Sequence, residues 1–504
     1  MNVVLVIADT VRRDYLGCYG STWCKTPNLD RLAEESFVFD RAYCSSYPTV
    51  PNRWDVLTGK HNYTYAAWEP LSRDEVTLGM ILEQGGMTSM MIADTPHIFQ
   101  HGFNYSRGFT AWQWIRGQEN DLWQTDPKEV EFPCSPEKMR KADYTVTQYL
   151  RNTALFQHEE DYFAPKTMKT AMQWIERNRD LDNFFLYVDT FDPHEPWDAP
   201  DYYVDMYNPG YKGEKVFYPQ YWPSTYLTDE EVQHCRAMYA AELTMVDRWV
   251  GKLLDKIDAL GLRETTAVIF TTDHGFLLGE HGVMGKSIIF PDYFEALPFY
   301  EEISHIPLMI RLPGQTDGER VDALCVSTDL MMTVLEMSDM IETEVIDGES
   351  TIQLIQCGFH TQLPWSLDPA KLHSKSLMPI LNGEEETVRD FAVSSFPLKY
   401  KTPRNAKASV VTEDGWNLQY SGASPDPSKE LTPPEFECGK NEGDYQMGDH
   451  APLLFNLNED PGQIKNVIKE NPDKAKEIHA AYVKYLEECE TAPDLLEFRR
   501  DLEI

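Results

Sequence analysis

The chain has 504 residues, of which 42% are hydrophobic, so it is long enough to bury a large core. It carries 45 basic and 82 acidic residues, and the resulting net charge of −37 is spread along the sequence. This charge disfavours nucleic acids and anionic membrane surfaces as partners, because phosphate groups are bound by basic patches.

The chain begins with Met1 and Asn2 and continues directly into the apolar segment 3–8, without a basic stretch or a cleavage site. We therefore interpret 3–8 as a buried strand and predict a cytoplasmic protein. The sequence contains no run of 18 apolar residues, which predicts that no helix spans a membrane. The nine cysteines show no CxxC or other paired spacing, a pattern that favours reduced, buried thiols.

Four short apolar runs each end at an aspartate. They are 3–8 before Asp9, Thr88–Ala93 before Asp94, 184–188 before Asp189, and 267–272 before Asp273. Runs of this length between helical segments are typical of buried parallel strands. Polar groups at the carboxyl ends of parallel strands meet at one edge of a sheet, where open α/β folds bind ligands. A strand that simply stops at a polar residue would explain one such run, whereas four together favour a shared site.

A helix is predicted across 243–257, where apolar residues recur at three- and four-residue spacing and Gly261 follows the end. The segments 105–165 and 195–225 are rich in Trp, Tyr, Pro and charged residues. We predict that both form long loops over the polar edge of the sheet, because loops of this length are commonly functional.

Past residue 385 the chain changes character. Strand-like runs occur at Ala408–Thr412, Trp416–Tyr420 and 453–457, a Pro- and acid-rich loop covers 423–450, and an amphipathic helix begins at about 472. The sequence thus predicts an α/β fold with a large, mostly parallel central sheet flanked by helices. We predict a first domain over 1–385 and a smaller C-terminal α+β domain over 386–504.

Asp273 and His274 directly follow the last of the four apolar runs, and the small Gly275 allows the backbone to turn there. A carboxylate oxygen beside an imidazole nitrogen is half of a plausible site for a divalent metal ion. The pair alone is a weak signal, because a capped turn would explain it equally well. Together with Asp9 at another strand end it favours a metal site.

The segment 49–53 together with 57–59 has the spacing Thr-x-Pro-x-Arg-x3-Leu-Thr-Gly. Eight further segments occur in a matching order, at 2–9, 17–20, 26–30, 192–196, 271–282, 285–286, 305–311 and 454–461. Across nearly its whole length the chain resembles the sulfatase family of the alkaline phosphatase superfamily, in which a cysteine stands at the position of Thr49.

The resemblance implies that Asp9, Asp273 and His274 hold one divalent cation. It also implies that Thr49 stands at the position of the nucleophile, with its oxygen on that metal. A metal in this place lowers the pKa of a hydroxyl group and offsets negative charge on the oxygens of an ester.

The resemblance further implies that Arg53 orients the nucleophile and that His194 and Lys286 bind the ester oxygens. His194 would also protonate the leaving group as a general acid. Fixed cations such as Arg53 and Lys286 stabilise the negative charge that develops in the transition state.

The sequence departs from the family pattern at several places. Thr10 replaces the second acidic residue after the first strand, and Phe276 stands where many relatives carry an acid. His97 is the candidate for the substrate-facing histidine, although the lysine that accompanies it in the family is absent. Asp94 either contacts a basic group of the substrate or caps a turn. With a histidine and fewer carboxylates, manganese or zinc becomes plausible beside calcium.

Thr49 bears most directly on the reaction. Typical sulfatases convert their cysteine to a formylglycine hydrate, which expels sulfate by breaking its own carbon–oxygen bond. Threonine cannot be oxidised in this way, whereas a phosphorylated threonine can be resolved by in-line attack of water at phosphorus. Cys44 lies five residues earlier, at the wrong offset from the two prolines, and we do not expect it to be the nucleophile.

We therefore predict a metal-dependent sulfatase-family hydrolase of sulfate or phosphate esters, with a preference for phosphate mono- or diesters. The alternatives are a true sulfuric ester hydrolase, a transferase that passes the phospho group from Thr49 to an acceptor alcohol, and a binding protein that has lost catalysis. An acceptor-dependent product would distinguish the transferase, and the retained charged residues argue against the binding protein. The expected partner is a small anionic ester, with no nucleic acid and no membrane; whether identical copies associate is left open.

Overall fold

A mixed eight-stranded sheet carries the strand ends that the sequence singles out. The computed structural model describes residues 1–126, 128–346, 349–354, 371–399, 406–422 and 431–504. Within the predicted loop at 423–450, the segment 423–430 lies outside the described residues.

In the described part of the chain the strands are β1 Asn2–Ala8, β2 Phe37–Tyr43, β3 Thr88–Ala93, β4 Ala111–Trp114, β5 Phe184–Thr190, β6 Trp222–Pro223, β7 Thr266–Thr271, β8 Leu277–Leu278, β9 Val283–Gly285, β10 Ile288–Phe290, β11 Tyr293–Glu295, β12 Leu308–Arg311, β13 Glu319–Val326, β14 Ile341–Ile346, β15 Glu349–Leu354, β16 Phe391–Ser395, β17 Ala408–Thr412, β18 Trp416–Tyr420 and β19 Leu453–Asn456. The α-helices are α1 Pro27–Ala33, α2 Thr49–Thr58, α3 Leu78–Gln84, α4 Thr147–Thr153, α5 Phe163–Asn178, α6 Asp201–Val204, α7 Asp229–Ala259, α8 Glu301–Ser304, α9 Leu330–Met337, α10 Met378–Leu381, α11 Pro472–Glu488 and α12 Pro493–Leu496.

The main sheet has the strand order β13-β2-β12-β7-β1-β5-β3-β4. The four strands predicted from the apolar runs (β1, β3, β5 and β7) are neighbours in its centre and run parallel. Only β12 is antiparallel to its partners in this sheet, β2 and β7, so the predicted mostly parallel sheet is confirmed. Pairing sets Ala8 beside Thr190 and Ile7 beside Thr271. The carboxyl ends of the central strands therefore meet at one edge.

Each face of the sheet is covered by its own hydrophobic layer. In β1 the odd-numbered residues from 3 to 7 belong to one buried cluster and the even-numbered residues from 4 to 8 to the other, as the alternation of side chains along a strand requires. Helices α5 and α7 cover the second face, and α2 and α9 cover the first. Helix α7, which contains the predicted segment 243–257, begins with a capping box between Thr228 and Glu231.

The C-terminal strands β16 to β19 form a separate antiparallel sheet against which α11 packs, so the predicted strands and helix of this region are present. Two backbone hydrogen bonds of 2.9 Å join Ser395 in β16 to Ser45 and Tyr47. The C-terminal sheet is thereby tied to the segment that leads into α2. The boundary at 385/386 stays a prediction.

No helix of the described ranges is both long and apolar enough to cross a membrane. The cytoplasmic location stays a prediction. The eight cysteines that fall within the described ranges are free thiols, and six of them are buried.

Candidate active site

Helix α2 places Thr49 at the polar edge of the sheet. Thr49 is the first residue of this ten-residue helix and is 1% exposed. The helix is docked on the loop after β7, because Asn52 Nδ2 donates to the carbonyl oxygen of Asp273 at 3.2 Å. The first turn of a helix carries unpaired N–H groups and partial positive charge. The position of Thr49 is therefore suited to an anionic substrate.

Asp9, Asp273 and His274 converge where β1 and β7 end. One potential ligand atom from each lies within 4.8 Å of the others, and all three residues are buried. The Asp273 carboxylate accepts the N–H groups of Thr10 at 3.1 Å and of His274 at 2.9 Å. His274 Nδ1 donates to the carbonyl oxygen of Gly275 at 2.9 Å, which leaves Nε2 as the nitrogen available to a metal.

Gly275 is required by a close backbone approach rather than by the sharp turn that we predicted. Its N–H donates to the carbonyl oxygen of Ile303 at 2.8 Å, and a Cβ at this position would overlap the carbonyl oxygen of Glu302. Any larger residue would push the Asp273–His274 pair away from α8.

Arg53 is the centre of a buried network of charges. Its Nε and Nη2 each lie 3.0 Å from one oxygen of Asp189, a bidentate pair that fixes the plane of the guanidinium. Its Nη1 lies 3.0 Å from Asp9 Oδ2 and also contacts Asp273 Oδ2. The same nitrogen lies 3.4 Å from the carbonyl oxygen of Thr49. Arg53 thus joins the first turn of α2 to both aspartates.

These residues fit a bound divalent cation. Both carboxylate oxygens of Asp9 are buried and lack a well-aligned hydrogen-bond donor, and Oδ2 has only its ion pair with Arg53. Burial and the negative charge of Asp273 raise the pKa of Asp9 well above its usual range, despite the nearby Arg53 and Lys286. The carboxylates of Asp9, Asp189 and Asp273 carry one more negative charge than Arg53 and Lys286 carry positive charge. A bound divalent ion would make the net charge of this group positive.

Lys286 and His194 form a pair beside the metal-ligand group. Lys286 Nζ lies 2.9 Å from His194 Nε2 and 3.3 Å from His274 Nε2. His194 Nδ1 donates to the carbonyl oxygen of Glu195 at 2.7 Å, so its Nε2 accepts from the lysine. Burial lowers the pKa of Lys286, and burial together with Lys286 lowers the pKa of His194 well below its usual range. The pair therefore shares one proton next to the candidate metal site.

His97 lies on the outer side of His194. Phe191 separates the two rings, with its centroid 4.0 Å from that of His194 and 5.6 Å from that of His97. Trp68, which is 36% exposed, meets the other side of His97 at 5.5 Å. This placement, between solvent and the reacting groups, is consistent with the predicted contact to substrate.

The carboxylate of Asp94 is enclosed by hydrogen-bond donors of the protein and does not face the substrate site. Its buried carboxylate accepts hydrogen bonds from the hydroxyl of Thr167 at 2.6 Å, the hydroxyl of Thr190 at 3.0 Å, and the N–H of Phe191. The structure thus favours the capping interpretation, in which Asp94 holds the loop after β5. The predicted substrate contact of Asp94 is not supported.

The departures from the family pattern have structural explanations in two cases. Thr10 adopts a left-handed φ of 59°, and its buried hydroxyl has no hydrogen-bond partner, so it remains a neutral oxygen near Asp9. Phe276 packs edge-to-face against Trp197 and Tyr221, so an apolar ring fills this position. Cys44 is fully buried, and burial raises the pKa of its thiol, which makes it a poor nucleophile.

A cluster of buried carboxyl groups supports the loop that carries His194. We call Asp94, Asp192, Asp198 and Glu242 the acid cluster. Burial is the main reason that the pKa of each of the four is raised. For Asp94 and Glu242 the negative charge of Asp192 raises the pKa further. The pKa of Asp192 and of Asp198 is raised to about 7. Glu242 hydrogen-bonds Asp192 and accepts the N–H of Ala199 at 2.7 Å.

Stability should therefore decline as the pH rises from about 4, the ordinary pKa of an aspartate, to about 7, the pKa of Asp192 and Asp198 in the fold. A carboxyl group whose folded pKa exceeds its unfolded pKa stabilises the fold most below the unfolded value and loses this contribution through the folded value. The expected slope is about 1.4 kcal/mol per pH unit for each proton held only by the native state. Glu242→Gln, which can still donate to Asp192, should flatten the slope in denaturant titrations. Glu230→Gln, an exposed change on the same helix, is the control; equal slopes in both variants would contradict the prediction.

Three charged residues near His194 and His97 were not predicted as site residues: Glu119, Arg140 and Glu195. Arg140 Nη2 lies 2.8 Å from Glu195 Oε1 and 3.6 Å from Glu119 Oε1. Glu195 is adjacent to His194 in a segment already singled out, which was an available signal. Glu119 and Arg140 lie in the predicted loop 105–165, where no spacing marks them.

Comparison with known proteins finds relatives among the sulfatases. The sulfatase family model matches residues 1–340. The ulvan-active sulfatase of Formosa agariphila is 26% identical over 456 residues, which cover 88% of this chain and 80% of that protein. The N-acetylglucosamine-6-O-sulfatase of Bacteroides thetaiotaomicron is 23% identical, with coverages of 83% and 77%.

Among solved structures, the phosphonate monoester hydrolase of Agrobacterium radiobacter superposes with a TM-score of 0.65 at 18% identity, covering 97% of this chain and 95% of that one. At this level of identity the likeness concerns the fold. Enzymes of this superfamily use a divalent metal ion, as the group formed by Asp9, Asp273 and His274 would allow. The family match over two thirds of the sequence, on this fold, shows that the chain belongs to the sulfatase family of the alkaline phosphatase superfamily and is a hydrolase of ester bonds.

Proposed function

We propose that the enzyme hydrolyses phosphate monoesters or diesters with Thr49 as the nucleophile. The proposal depends on the identity of the residue at position 49. A threonine hydroxyl cannot become a formylglycine hydrate, but it can be phosphorylated and then released by water. The names of the relatives reported above more often refer to sulfate esters, so the preference for phosphorus depends on Thr49 alone.

The metal site follows from the chemistry of its donors. Two carboxylates, an imidazole and a hydroxyl suit manganese or zinc better than calcium, which prefers oxygen ligands only. When held by Asp9, Asp273 and His274, such an ion lowers the pKa of a nearby hydroxyl and offsets charge on the ester oxygens.

The reaction proceeds in two displacements. In the first, Thr49 Oγ loses its proton to solvent and attacks phosphorus, while the bond from phosphorus to the leaving oxygen breaks. The His194–Lys286 pair gives its shared proton to that oxygen. Arg53 keeps the first turn of α2 in place and neutralises charge beside the transferred group.

In the second displacement, water attacks phosphorus in line with the Thr49 Oγ–phosphorus bond. The His194–Lys286 pair, now short of a proton, accepts one from the water. The Oγ–phosphorus bond breaks with its electron pair on Thr49 Oγ, which takes a proton from solvent and becomes the hydroxyl again. His97, at the outer side, contacts the organic part of the ester.

A panel of matched esters tests the choice between phosphorus and sulfur. With enzyme loaded separately with manganese, zinc and calcium, we expect 4-nitrophenyl phosphate or bis(4-nitrophenyl) phosphate to be hydrolysed about tenfold faster or more, in kcat/KM, than 4-nitrophenyl sulfate. Faster turnover of the sulfate would assign a sulfatase instead. A rate that depends on added alcohol, with a phosphorylated alcohol as product, would assign a transferase, and binding of these esters without turnover would assign a binding protein.

A further inference from the structure

Three charged residues join the two histidines of the site. We call Glu119, Arg140 and Glu195 the bridge. Arg140 is 9% exposed and lies between the two glutamates, with Nη2 2.8 Å from Glu195 Oε1 and 3.6 Å from Glu119 Oε1. The positive charge of the shared guanidinium offsets the cost of removing both carboxylates from water.

The two halves of the bridge are built alike. The hydroxyl of Tyr218 donates to Glu119 Oε1 at 2.6 Å, and the hydroxyl of Tyr221 donates to Glu195 Oε1. The Arg140 guanidinium lies over both tyrosine rings, at 4.5 and 4.2 Å from their centroids. The inner oxygen of each glutamate is thus held by one tyrosine and faces one arginine.

The outer oxygen of each glutamate faces one histidine. Glu195 Oε2 lies 3.1 Å from His194 Nδ1, and Glu119 Oε2 lies 3.0 Å from His97 Nε2. A carboxylate beside one ring nitrogen keeps the proton on that nitrogen and directs the other nitrogen away. The Glu195 carboxylate therefore adds to the carbonyl oxygen of the same residue, which accepts from His194 Nδ1 at 2.7 Å, in favouring the form of His194 whose Nε2 faces Lys286. Glu119 fixes the orientation of the His97 ring by its contact with Nε2.

Glu119 is held in place against a conformational preference. Its φ of 43° lies in the left-handed region, which costs a non-glycine residue about 1 kcal/mol or more and persists only where the surroundings enforce it. Here Asn152 Nδ2 donates to the carbonyl oxygens of Gly117 and Asp121, at 2.8 Å each, and so closes the turn around Glu119. Strained residues of this kind concentrate at functional sites.

We propose that Glu119, Arg140 and Glu195 act as one positioning unit that orients His194 toward the leaving oxygen and His97 toward the organic part of the substrate. The inference rests on the proposed function. The two halves of the bridge have different effects. The Glu195 half governs delivery of the proton to the leaving oxygen, and the Glu119 half governs binding of the substrate. Because the halves share Arg140, a change at Arg140 affects both.

The kinetic test compares substrates that differ only in the basicity of the leaving group. Arg140→Gln is expected to lower kcat for phenyl phosphate by about 10- to 100-fold, and much less for 4-nitrophenyl phosphate, which needs little help from an acid. Lys138→Gln is the matched control, because Lys138 is a cation two residues earlier that also pairs with two acids, Glu214 and Glu231, and it pairs with no histidine of the described ranges. Equal losses for both esters, or equal behaviour of the two variants, would overturn the inference.

A milder pair of variants separates the halves and avoids the loss of a buried cation. Tyr221→Phe removes the donor to Glu195 and should steepen the dependence of kcat on the leaving group. Tyr218→Phe removes the donor to Glu119 and should raise KM while kcat stays nearly constant. The same phenotype in both variants would contradict the assigned division.

A readout without turnover separates this inference from the proposed function. In nuclear magnetic resonance spectra of enzyme labelled with nitrogen-15 in its histidines, the wild type should show a protonated Nδ1 for His194. The signal is assigned by its loss in His194→Gln. Arg140→Gln should shift that signal toward the average of both tautomers, and an unchanged signal would overturn the inference. If the signal shifts while no ester in the panel is hydrolysed, the proposed function fails and the bridge stands.

Discussion

Replacing Thr49 by alanine is expected to lower kcat on the best phosphate ester by about 10³-fold or more, which is the usual consequence of removing a covalent nucleophile. The fold should tolerate the change, because Thr49 is the first residue of α2 and its side chain does not cap the helix. The N-cap is Pro48, and the helix is held instead by Asn52, Arg53 and the hydrophobic cluster. Stopped-flow or steady-state assays of Thr49→Ala beside the wild type measure the effect directly.

Two companion measurements make this result specific. Thr49→Ser keeps a hydroxyl in the same place and should retain activity within about tenfold of the wild type, because only a methyl group is lost. Acid quenching of the wild type during turnover, followed by mass analysis of the peptide that contains Thr49, should reveal a phosphorylated threonine. Full activity in Thr49→Ala would remove Thr49 from the mechanism and leave an activated water as the alternative nucleophile.

Much of the fold was predictable because the information is local in the sequence. Each central strand is buried on both faces, so it forms a continuous apolar run that ends where the chain meets the polar edge. The position of Asp9 beside Asp273 then follows from the adjacency of β1 and β7, since their register aligns Ile7 with Thr271. The antiparallel β12 was not predicted, because a strand's direction depends on how its connections cross the sheet.

The candidate site was predictable to the extent that it uses segments with fixed spacing. Thr49 and Arg53 are one helical turn apart, so their proximity is a local property of α2. Asp94 shows the limit of this reasoning. It follows a strand just as Asp9 does, yet the side chains of Thr167 and Thr190, which are distant in sequence, enclose its carboxylate.

The bridge was beyond sequence reasoning for a related reason. The segments predicted as two long loops contain regular elements, β4 and α4 in the first and α6 and β6 in the second. Glu119 and Arg140 lie in the connection between β4 and α4, Tyr218 lies between α6 and β6, and neither connection has a periodic pattern that fixes its path. Contacts between such loops depend on packing over the sheet edge rather than on neighbours in the chain. The sequence marked these segments as candidates for the polar edge of the sheet, but it did not indicate which of their charged residues would meet.

Replacing Asp273 by asparagine is expected to cost the enzyme its metal. The amide keeps the shape of the side chain and one oxygen that can accept the N–H groups of Thr10 and His274. It removes a negative charge from a set of three aspartates around Arg53, and a neutral amide oxygen is a weaker ligand than a carboxylate. We expect kcat/KM to fall by about 10³-fold, because charge on the ester oxygens is then no longer offset.

Metal binding should be visible in stability as well as in activity. A cation that binds only the native state raises the free energy of unfolding with the logarithm of its concentration over Kd, by about 2.7 kcal/mol at one hundred times Kd, and the melting temperature rises with it. The wild type should therefore melt at a higher temperature with manganese or zinc than with a chelator, whereas Asp273→Asn should show little or no difference. Metal analysis of the dialysed proteins provides the second readout.

Asp189→Asn separates the loss of metal from the loss of charge around Arg53. Asp189 holds the guanidinium through two hydrogen bonds but is not among the group of potential ligands that Asp9, Asp273 and His274 form. This variant should lose activity, because Arg53 is less well fixed, and still show the metal-dependent rise in melting temperature. If Asp189→Asn lost that rise while Asp273→Asn kept it, the ligand assignment would be wrong. The metal would then have to lie nearer Arg53 and Asp189, on the side of the site that faces β3.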